Sequence, residues 1–288
     1  HHTDARGLFW NTDLFLEAGF AVDRPPTTWD ELRDYTIKLT RIDSDGSIAQ
    51  LGFDPWFMSD AIYLFGFGNG ATFMSEDGRE AYLTDPALVE TLEFMLSLQQ
   101  AVGSRQVINE FYAKYANVTG GAFVAGAQAM QGGGSWQVAD YVKIAPDLNF
   151  DVAPMPVPAG KPFVTWGEGF AFAVPRGARH VDEAFQYIEY MMSHDAQVYY
   201  GVNTTHIPVL RSALGQLPHE NLDPRQVKFY AMTEYMRYLP GGPLSRKLWN
   251  VVVKATDEVL YERMPPLSAL IQAQEEITNE IRSFFENL

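Results

Sequence analysis

Apolar and polar positions along the chain predict helices that alternate with short strands. An amphipathic pattern runs from residue 28 to about residue 42, and Thr28 followed by Glu31 forms a capping box at its start. Asp85 and Pro86 supply an N-cap and a first-turn proline for a second helix that continues to about Val102. Both helices are expected to pack one apolar face on a core.

Strands are predicted where short apolar stretches lie between turns. Residues 150–154 are one such stretch, and the nearly continuous apolar run from Gly169 to Val174 is typical of a strand buried on both faces. Further helical patterns cover residues 182–193, 195–202 and the chain from 224 onward. The last of these is interrupted at 239–243 and 264–266. Strands that alternate with helices indicate the α/β class.

Two glycine-rich segments place a tryptophan beside a bend. One is Met130–Trp136, which contains three consecutive glycines, and the other is Phe163–Pro175, which contains Trp166. An indole offers a large rigid apolar surface with one N–H donor, and neighbouring glycines let the backbone approach a ligand closely. Taken singly, a tryptophan is more often a buried structural residue. The two segments together favour binding of a flat apolar ligand face over catalysis.

Four ordered blocks of the chain resemble family 1 extracellular solute-binding proteins of ABC importers, the maltose-binding type. Residues 7–20 and 25–32 are similar to the family's "YNKDLFEKAGL" and "PPKTWDEL" elements. Residues 123–130 are similar to the element before its glycine–tryptophan loop, and residues 169–188 to its strand-to-helix passage. Because the family normally has several strand–helix units before the first block, the resemblance implies a member that lacks the N-terminal part of its first lobe.

The fold implied by this resemblance is α/β, periplasmic-binding-protein-like of type II, with two lobes and a hinge, here truncated at the N-terminus. On that pattern residues 1–170 form the main part of the second, C-terminal lobe. Residues 171–225 form a remnant of the first lobe. Residues 226–288 form a helical return to the second lobe.

The resemblance also implies which residues contact a ligand, since aromatic side chains of the second lobe stack on sugar rings in this family. The implied ligand-binding residues are Trp56, Gly134, Trp136, Trp166, Glu168 and Trp249. A pyranose has an apolar face of C–H groups and a rim of hydroxyls, so indoles bind the face while a carboxylate such as Glu168 binds the rim. Tyr63, Tyr141 and Asp54 are further contacts left open.

Composition narrows the class of partner. The chain has 288 residues, 21 Lys and Arg against 36 Asp and Glu, and a formal charge of −15, which disfavours nucleic acid as a partner. There is no cysteine, which excludes disulfides and cysteine–metal sites. No HExxH motif or comparable histidine spacing is present, and Asp43–Ser47 is predicted to be a plain turn rather than a calcium loop. No cofactor, metal or catalytic residue is expected.

The predicted function is that of the substrate-binding component of an ABC transporter. It would bind a sugar or oligosaccharide in a cleft between lobes and deliver it to permease subunits in the membrane. One alternative is a glycoside hydrolase that uses Glu168 and a second carboxylate such as Asp151. The others are a binding protein for a non-sugar polar solute and a protein-recognition module.

The expected location is extracellular or periplasmic, with a lipid anchor through the missing N-terminus as one form of attachment.

A protein without the opening of its first lobe would leave the apolar run after Gly169 with an exposed edge. We therefore predict self-association of the 288-residue chain, measured by light scattering. A monodisperse monomer across the concentration range would contradict this expectation.

Overall fold

The computed structural model describes residues 1–239 and 241–287. The α-helices in this part of the chain are α1 (Thr12–Glu17), α2 (Trp29–Leu39), α3 (Ala61–Gly68), α4 (Pro86–Val102), α5 (Arg105–Ala113), α6 (Gly121–Val124), α7 (Gln137–Ile144), α8 (Val181–Met191), α9 (His194–Thr204), α10 (Arg211–Leu214), α11 (Pro224–Met232), α12 (Ser245–Leu260) and α13 (Pro266–Glu286). The strands are β1 (His2–Thr3), β2 (Arg6–Asn11), β3 (Arg41–Ile42), β4 (Ile48–Gln50), β5 (Met130–Gly134), β6 (Phe150–Ala153), β7 (Thr165–Trp166), β8 (Gly169–Phe170), β9 (Ile207–Pro208) and β10 (Met236–Arg237).

Strand β2 is the centre of an antiparallel sheet with the order β5-β2-β6. Gly7 lies opposite Gly133, and Trp10 lies opposite Met130 on one side and Asp151 on the other. All six residues of β2 are buried, as expected for a strand that is paired on both edges and covered on both faces. The strand therefore carries any polar side chain it contains into the interior.

Three smaller β-structures surround this sheet. Strand β1 lies between β8 and β9, β7 pairs with β10 in parallel, and β3 and β4 form a hairpin. The hairpin turn is the segment Asp43–Ser47, where Gly46 has a φ of 86° that glycine adopts without strain. The predicted plain turn is confirmed. Within residues 1–239 and 241–287, no group of three or more His, Asp or Glu side chains could hold a metal ion.

The two helices with the clearest start signals are confirmed. In α2 the Thr28 hydroxyl accepts a hydrogen bond from the Glu31 N–H at 3.2 Å, and the Glu31 carboxylate accepts one from the Thr27 N–H at 2.8 Å. In α4 the Asp85 carboxylate accepts one from the Ala87 N–H at 2.8 Å. Helix α2 ends at Leu39, three residues earlier than predicted, because the chain passes directly into the β3–β4 hairpin.

The main hydrophobic core lies between α3, α4, α12 and α13, and it extends to Leu8 and Trp10 of β2. A second cluster on the other side of the sheet is rich in aromatic residues and includes Phe9, Phe123 and Tyr141. Because β2 contributes alternate residues to both clusters, its backbone is held from two sides. The start of this strand is consequently a rigid position for a functional side chain.

The expected strand from Gly169 to Val174, buried on both faces, is wrong. Only Gly169 and Phe170 are in a strand, they pair with β1, and Phe170 is 58% exposed. Helix α8, which follows, has no buried residue. Phe172 contacts the rings of His1 and Tyr187, but no residue of the run is buried, so apolar character alone did not lead to burial.

The helical prediction for the C-terminal third is confirmed in outline. Helices α8, α9, α11, α12 and α13 lie in the predicted stretches, while the short strand β10 interrupts the run at Met236–Arg237. The predicted break at 239–243 includes Pro240, which is outside the described residues. The break at 264–266 ends at Pro266, where α13 begins. The domain boundaries at 170/171 and 225/226 stay a prediction. None of the described helices combines the length and the apolar character that a membrane span requires.

Gly52 is a position where the packing of α2 tolerates no side chain. A Cβ on Gly52 would overlap the carbonyl oxygen of Thr36, whereas a Cβ on Gly241 would meet no atom within 4 Å. We expect Gly52→Ala to lower the free energy of unfolding by about 1–3 kcal/mol through overpacking. The matched control, Gly241→Ala, should change it by less than about 0.5 kcal/mol. Urea denaturation followed by circular dichroism measures both, and equal effects would contradict this packing account.

Candidate ligand-binding site

The three consecutive glycines of β5, residues 132–134, leave room for larger side chains that pack over the strand. A Cβ on Gly132 would overlap the ring of Phe57, one on Gly133 the side chain of Gln137, and one on Gly134 the indole of Trp136. The Gly134 N–H donates a hydrogen bond to the Gln137 side chain at 2.9 Å. The glycines are therefore needed for aromatic and amide side chains of the protein itself, which fold back over the strand.

Arg6, the first residue of β2, lies opposite Gly134 and beneath two of the predicted tryptophans. Its guanidinium carbon is 4.6 Å from the ring centroid of Trp136 and 5.0 Å from that of Trp166. Both distances are within the range of cation–π interactions, which are strongest where the cation is removed from water. Arg6 is 1% exposed, so the two indoles and the guanidinium form one buried contact.

Three carboxylates surround the Arg6 guanidinium. Asp4 accepts from Nη1, while Asp60 and Glu168 accept from Nη2 at 3.1 and 3.3 Å. Asp4 and Asp60 are buried, but the Glu168 side chain is 44% exposed. Burial raises the pKa of Asp4 and of Asp60, and the nearby Arg6 charge opposes that rise. Glu168 is therefore the one of these carboxylates that a solute can reach.

Backbone contacts fix this cluster. The Thr165 hydroxyl donates to the Arg6 carbonyl oxygen at 2.6 Å and accepts from the Arg6 N–H at 2.9 Å. The Asp4 N–H and the Thr3 hydroxyl both donate to the Glu168 carbonyl oxygen, at 3.1 and 2.8 Å. The residues before β2 and the segment around residue 168 are thus held together by backbone-directed hydrogen bonds.

Trp166 and Trp249 meet next to this cluster, around Tyr63 of α3. The ring centroid of Tyr63 is 5.8 Å from that of Trp166 and 5.3 Å from that of Trp249. Trp166 is only 2% exposed, whereas Trp249 and Trp136 are intermediate. Among the described residues, no partner is found for four buried polar atoms near Arg6: its own Nε, Tyr63 Oη, Ser135 Oγ and Trp166 Nε1.

Trp56 lies in a different place. It borders a cavity of about 440 Å³ together with Asp54, Arg105, Gln131 and Tyr261. There the Arg105 guanidinium makes a bidentate pair with the Asp54 carboxylate, both distances being 2.9 Å. Gln131 and Gly134 are three residues apart on β5. This spacing places the cavity about 10 Å along the strand from the Arg6 cluster, which consists of Arg6 and the three carboxylates around it.

The structure therefore gathers five of the six predicted ligand-binding residues and separates one. Gly134, Trp136, Trp166, Glu168 and Trp249 lie around Arg6 and Tyr63, while Trp56 borders the second cavity. Arg6, Asp4 and Asp60 belong to the site but are absent from the predicted set. A signal for Arg6 existed, because a charge inside the apolar run of residues 5–10 must be paired if the run is buried.

One family model, described as bacterial extracellular solute-binding protein, matches residues 1–198. The chain belongs to this family. The predicted family membership is confirmed, and an extracellular family agrees with the expected extracellular or periplasmic location. Among curated proteins, this solute-binding protein is similar to the sn-glycerol-3-phosphate-binding periplasmic protein UgpB of Salmonella typhimurium and of Salmonella typhi. The identity is 36% over 80 residues, and this match spans 26% of the chain but only 17% of the relative.

Solved structures cover almost all of this solute-binding protein. CpMnBP1 with mannobiose bound is 28% identical, with a TM-score of 0.86 over 96% of this chain and 70% of that one. CpMnBP1 with mannotriose bound is 27% identical, with a TM-score of 0.87 over 96% and 71%. The cyclic α-maltosyl-1,6-maltose binding protein from Arthrobacter globiformis is 20% identical, with a TM-score of 0.77 over 98% and 71%. The predicted α/β periplasmic-binding-protein fold is confirmed.

Arg6 makes a sharp test of the buried cluster. We expect Arg6→Met to lower the free energy of unfolding by about 3–5 kcal/mol, because Asp4 and Asp60 would be left buried without a cation. The control is Arg24→Met, whose guanidinium is 75% exposed beside Glu31 and should contribute less than about 1 kcal/mol. A small effect at Arg6 in urea denaturation would contradict the assigned role.

The Arg6→Met penalty should also depend on pH. The folded-state pKa of Asp4 and of Asp60 lies above the ordinary 3.8, so the folded protein binds these protons more readily than the unfolded chain does. Their contribution to stability therefore rises as pH falls through the folded-state pKa toward 3.8. Removal of Arg6 takes away a charge that lowers both pKa values, so the penalty should shrink in acid. Unfolding measured at a series of pH values checks this, and a penalty that grows in acid would contradict it.

Proposed function

We propose that this chain binds a sugar or oligosaccharide as the substrate-binding component of an ABC importer. The observation that carries the proposal is the pairing of Trp136, partly exposed above buried Arg6, with the accessible carboxylate of Glu168. Similarity to CpMnBP1, solved with mannobiose and with mannotriose bound, supports it.

The chemistry of the Arg6 cluster suits a pyranose. The Trp136 indole can stack on the C–H face of a ring, and the Glu168 carboxylate can accept hydrogen bonds from hydroxyls at its rim. Arg6 beneath them makes the position of both groups rigid, which lowers the entropy lost when a ligand binds. In this proposal Trp136 and Glu168 contact the ligand, Gly134 gives the indole its room, and Trp166 and Trp249 support them from behind.

Trp56 belongs to a second contact region in the same proposal. Its cavity of about 440 Å³ offers an indole together with amide and carboxylate groups, and it lies about 10 Å along β5 from the Arg6 cluster. The proposed partners are the ligand and the permease subunits of a transporter in the membrane. Ligand-dependent closure of two lobes is the mechanism proposed for transport, because only a difference in affinity between open and closed states can drive it.

The hydrolase alternative receives no support from the geometry of its carboxylates. Asp151 lies opposite Trp10 on β2, four residues or about 13 Å from Arg6, and its carboxylate is paired with Lys228 Nζ at 2.6 Å. Glycosidase carboxylates flank one bond at about 5–10 Å. Asp4 and Asp60 are closer to Glu168, but both are buried. We therefore propose binding without cleavage.

A titration followed by tryptophan fluorescence tests the function. We expect a saturable change with mannobiose, mannotriose or maltose, and a 10- to 100-fold weaker affinity for Trp136→Ala, because stacking and burial of an indole are worth about 1.5–3 kcal/mol. The control is Tyr199→Ala, which removes an aromatic side chain that is 71% exposed on α9 and should leave the affinity unchanged.

Two outcomes would contradict the proposal. No response to any sugar would reject a carbohydrate ligand, and recovery of cleaved sugar from the titration would favour the hydrolase alternative. An equal loss of affinity in Trp136→Ala and Tyr199→Ala would remove the assignment of the site while leaving sugar binding intact.

A further inference from the structure

We propose that the Arg6 cluster selects uncharged saccharides and excludes phosphorylated and other anionic ones. This inference rests on the proposed function and deepens it by naming the charge class of the ligand. Similarity to a glycerol-3-phosphate-binding protein would suggest an anionic ligand instead. That match, however, covers only 80 residues and 17% of the relative.

The first reason is that Arg6 has no charge to spare for an anion. One guanidinium faces the carboxylates of Asp4, Asp60 and Glu168. With Glu168 ionised, the four groups carry a net charge between −2 and zero, whatever the protonation of Asp4 and Asp60. A phosphate beside Glu168 would therefore meet repulsion or, at best, no net attraction.

The second reason is that the buried cation at the second contact region is also paired with a carboxylate of the protein. In the described part of the chain Arg6 and Arg105 are the buried arginines, and no lysine is buried. Arg105 is bound at both Nη atoms to the Asp54 carboxylate. Each candidate ligand contact region thus contains a buried cation that a carboxylate of the protein already neutralises.

The third reason is the type of hydrogen-bonding group that remains. The Glu168 carboxylate, which is 44% exposed, is a hydrogen-bond acceptor when ionised. A sugar hydroxyl can donate a hydrogen bond to this carboxylate. A phosphate dianion only accepts, so it would leave the carboxylate facing a second acceptor.

One exposed cation could act against this selectivity. Arg237 of β10 pairs through its backbone with Trp166 and is exposed. Its guanidinium is one group through which an anion could still be held near the site. A variant at this residue therefore belongs in the test.

The experiment compares matched ligands by isothermal titration calorimetry on the 288-residue chain. The pairs are mannose with mannose 6-phosphate and glycerol with sn-glycerol 3-phosphate, with mannobiose as the larger uncharged ligand. We expect the phosphorylated member of a pair to bind at least 10-fold more weakly, a difference of about 1.4 kcal/mol. Added NaCl should narrow the difference, because salt screens repulsion at a partly exposed carboxylate.

Glu168→Gln isolates the accessible charge. The amide keeps the size of the side chain and removes its charge, so we expect the 10-fold discrimination to fall to about 3-fold or less. The matched control is Glu183→Gln on α8, whose side chain is 70% exposed and whose removal should leave the discrimination unchanged. Arg237→Gln should leave binding of mannobiose unchanged.

The outcomes separate this inference from the proposed function. Equal or tighter binding of a phosphorylated ligand overturns the charge selectivity while it leaves a solute-binding function, and loss of that binding in Arg237→Gln identifies its anchor. Discrimination that persists undiminished in Glu168→Gln overturns the role of Glu168. Binding of no ligand in the panel rejects the carbohydrate function, and this inference with it.

Discussion

The burial of one guanidinium organises the candidate site. Arg6 can occupy the start of a fully buried strand only because carboxylates from three parts of the chain reach it. Asp60 shows the cost of this arrangement. It stands at the N-cap of α3 but makes no capping hydrogen bond there, and its carboxylate binds Arg6 instead. The helix start, the strand start and the Glu168 segment are thereby joined at one point.

The positions of the indoles depend on the Arg6 guanidinium and on the glycines of β5 opposite it. Trp136 can lie over Arg6 only because Gly134 has no Cβ to occupy the same space. Trp166 is held on the other side by the Thr165 hydroxyl, which bonds to both backbone groups of Arg6. A small, rigid arrangement of this kind is well suited to a ligand with an apolar face and a polar rim.

The same constraint connects stability with ligand chemistry. A buried arginine surrounded by carboxylates is expensive to desolvate and gains little net stability over an apolar core, so its presence is better explained by what it positions. Glu168 is the member of the cluster that remains partly exposed. Its charge is therefore available to a solute, while that of Arg6 is largely used by the protein.

Much of this molecule follows from local sequence. The capping box at Thr28 and the Asp85-Pro86 pair specified the starts of α2 and α4. The ordered blocks are enough to identify the family from sequence alone. These features can be predicted because helix capping and sequence motifs both involve residues that are close together in the chain.

What only the tertiary structure decided is which residues meet and which are covered. The run after Gly169 has the composition of a buried strand but contains no buried residue, because burial requires another element to lie on it. Trp56 and Trp136 look equivalent in sequence but border separate regions. Arg6 becomes the centre of the site through partners 54 and 162 residues away, and no local pattern encodes contacts at such separations.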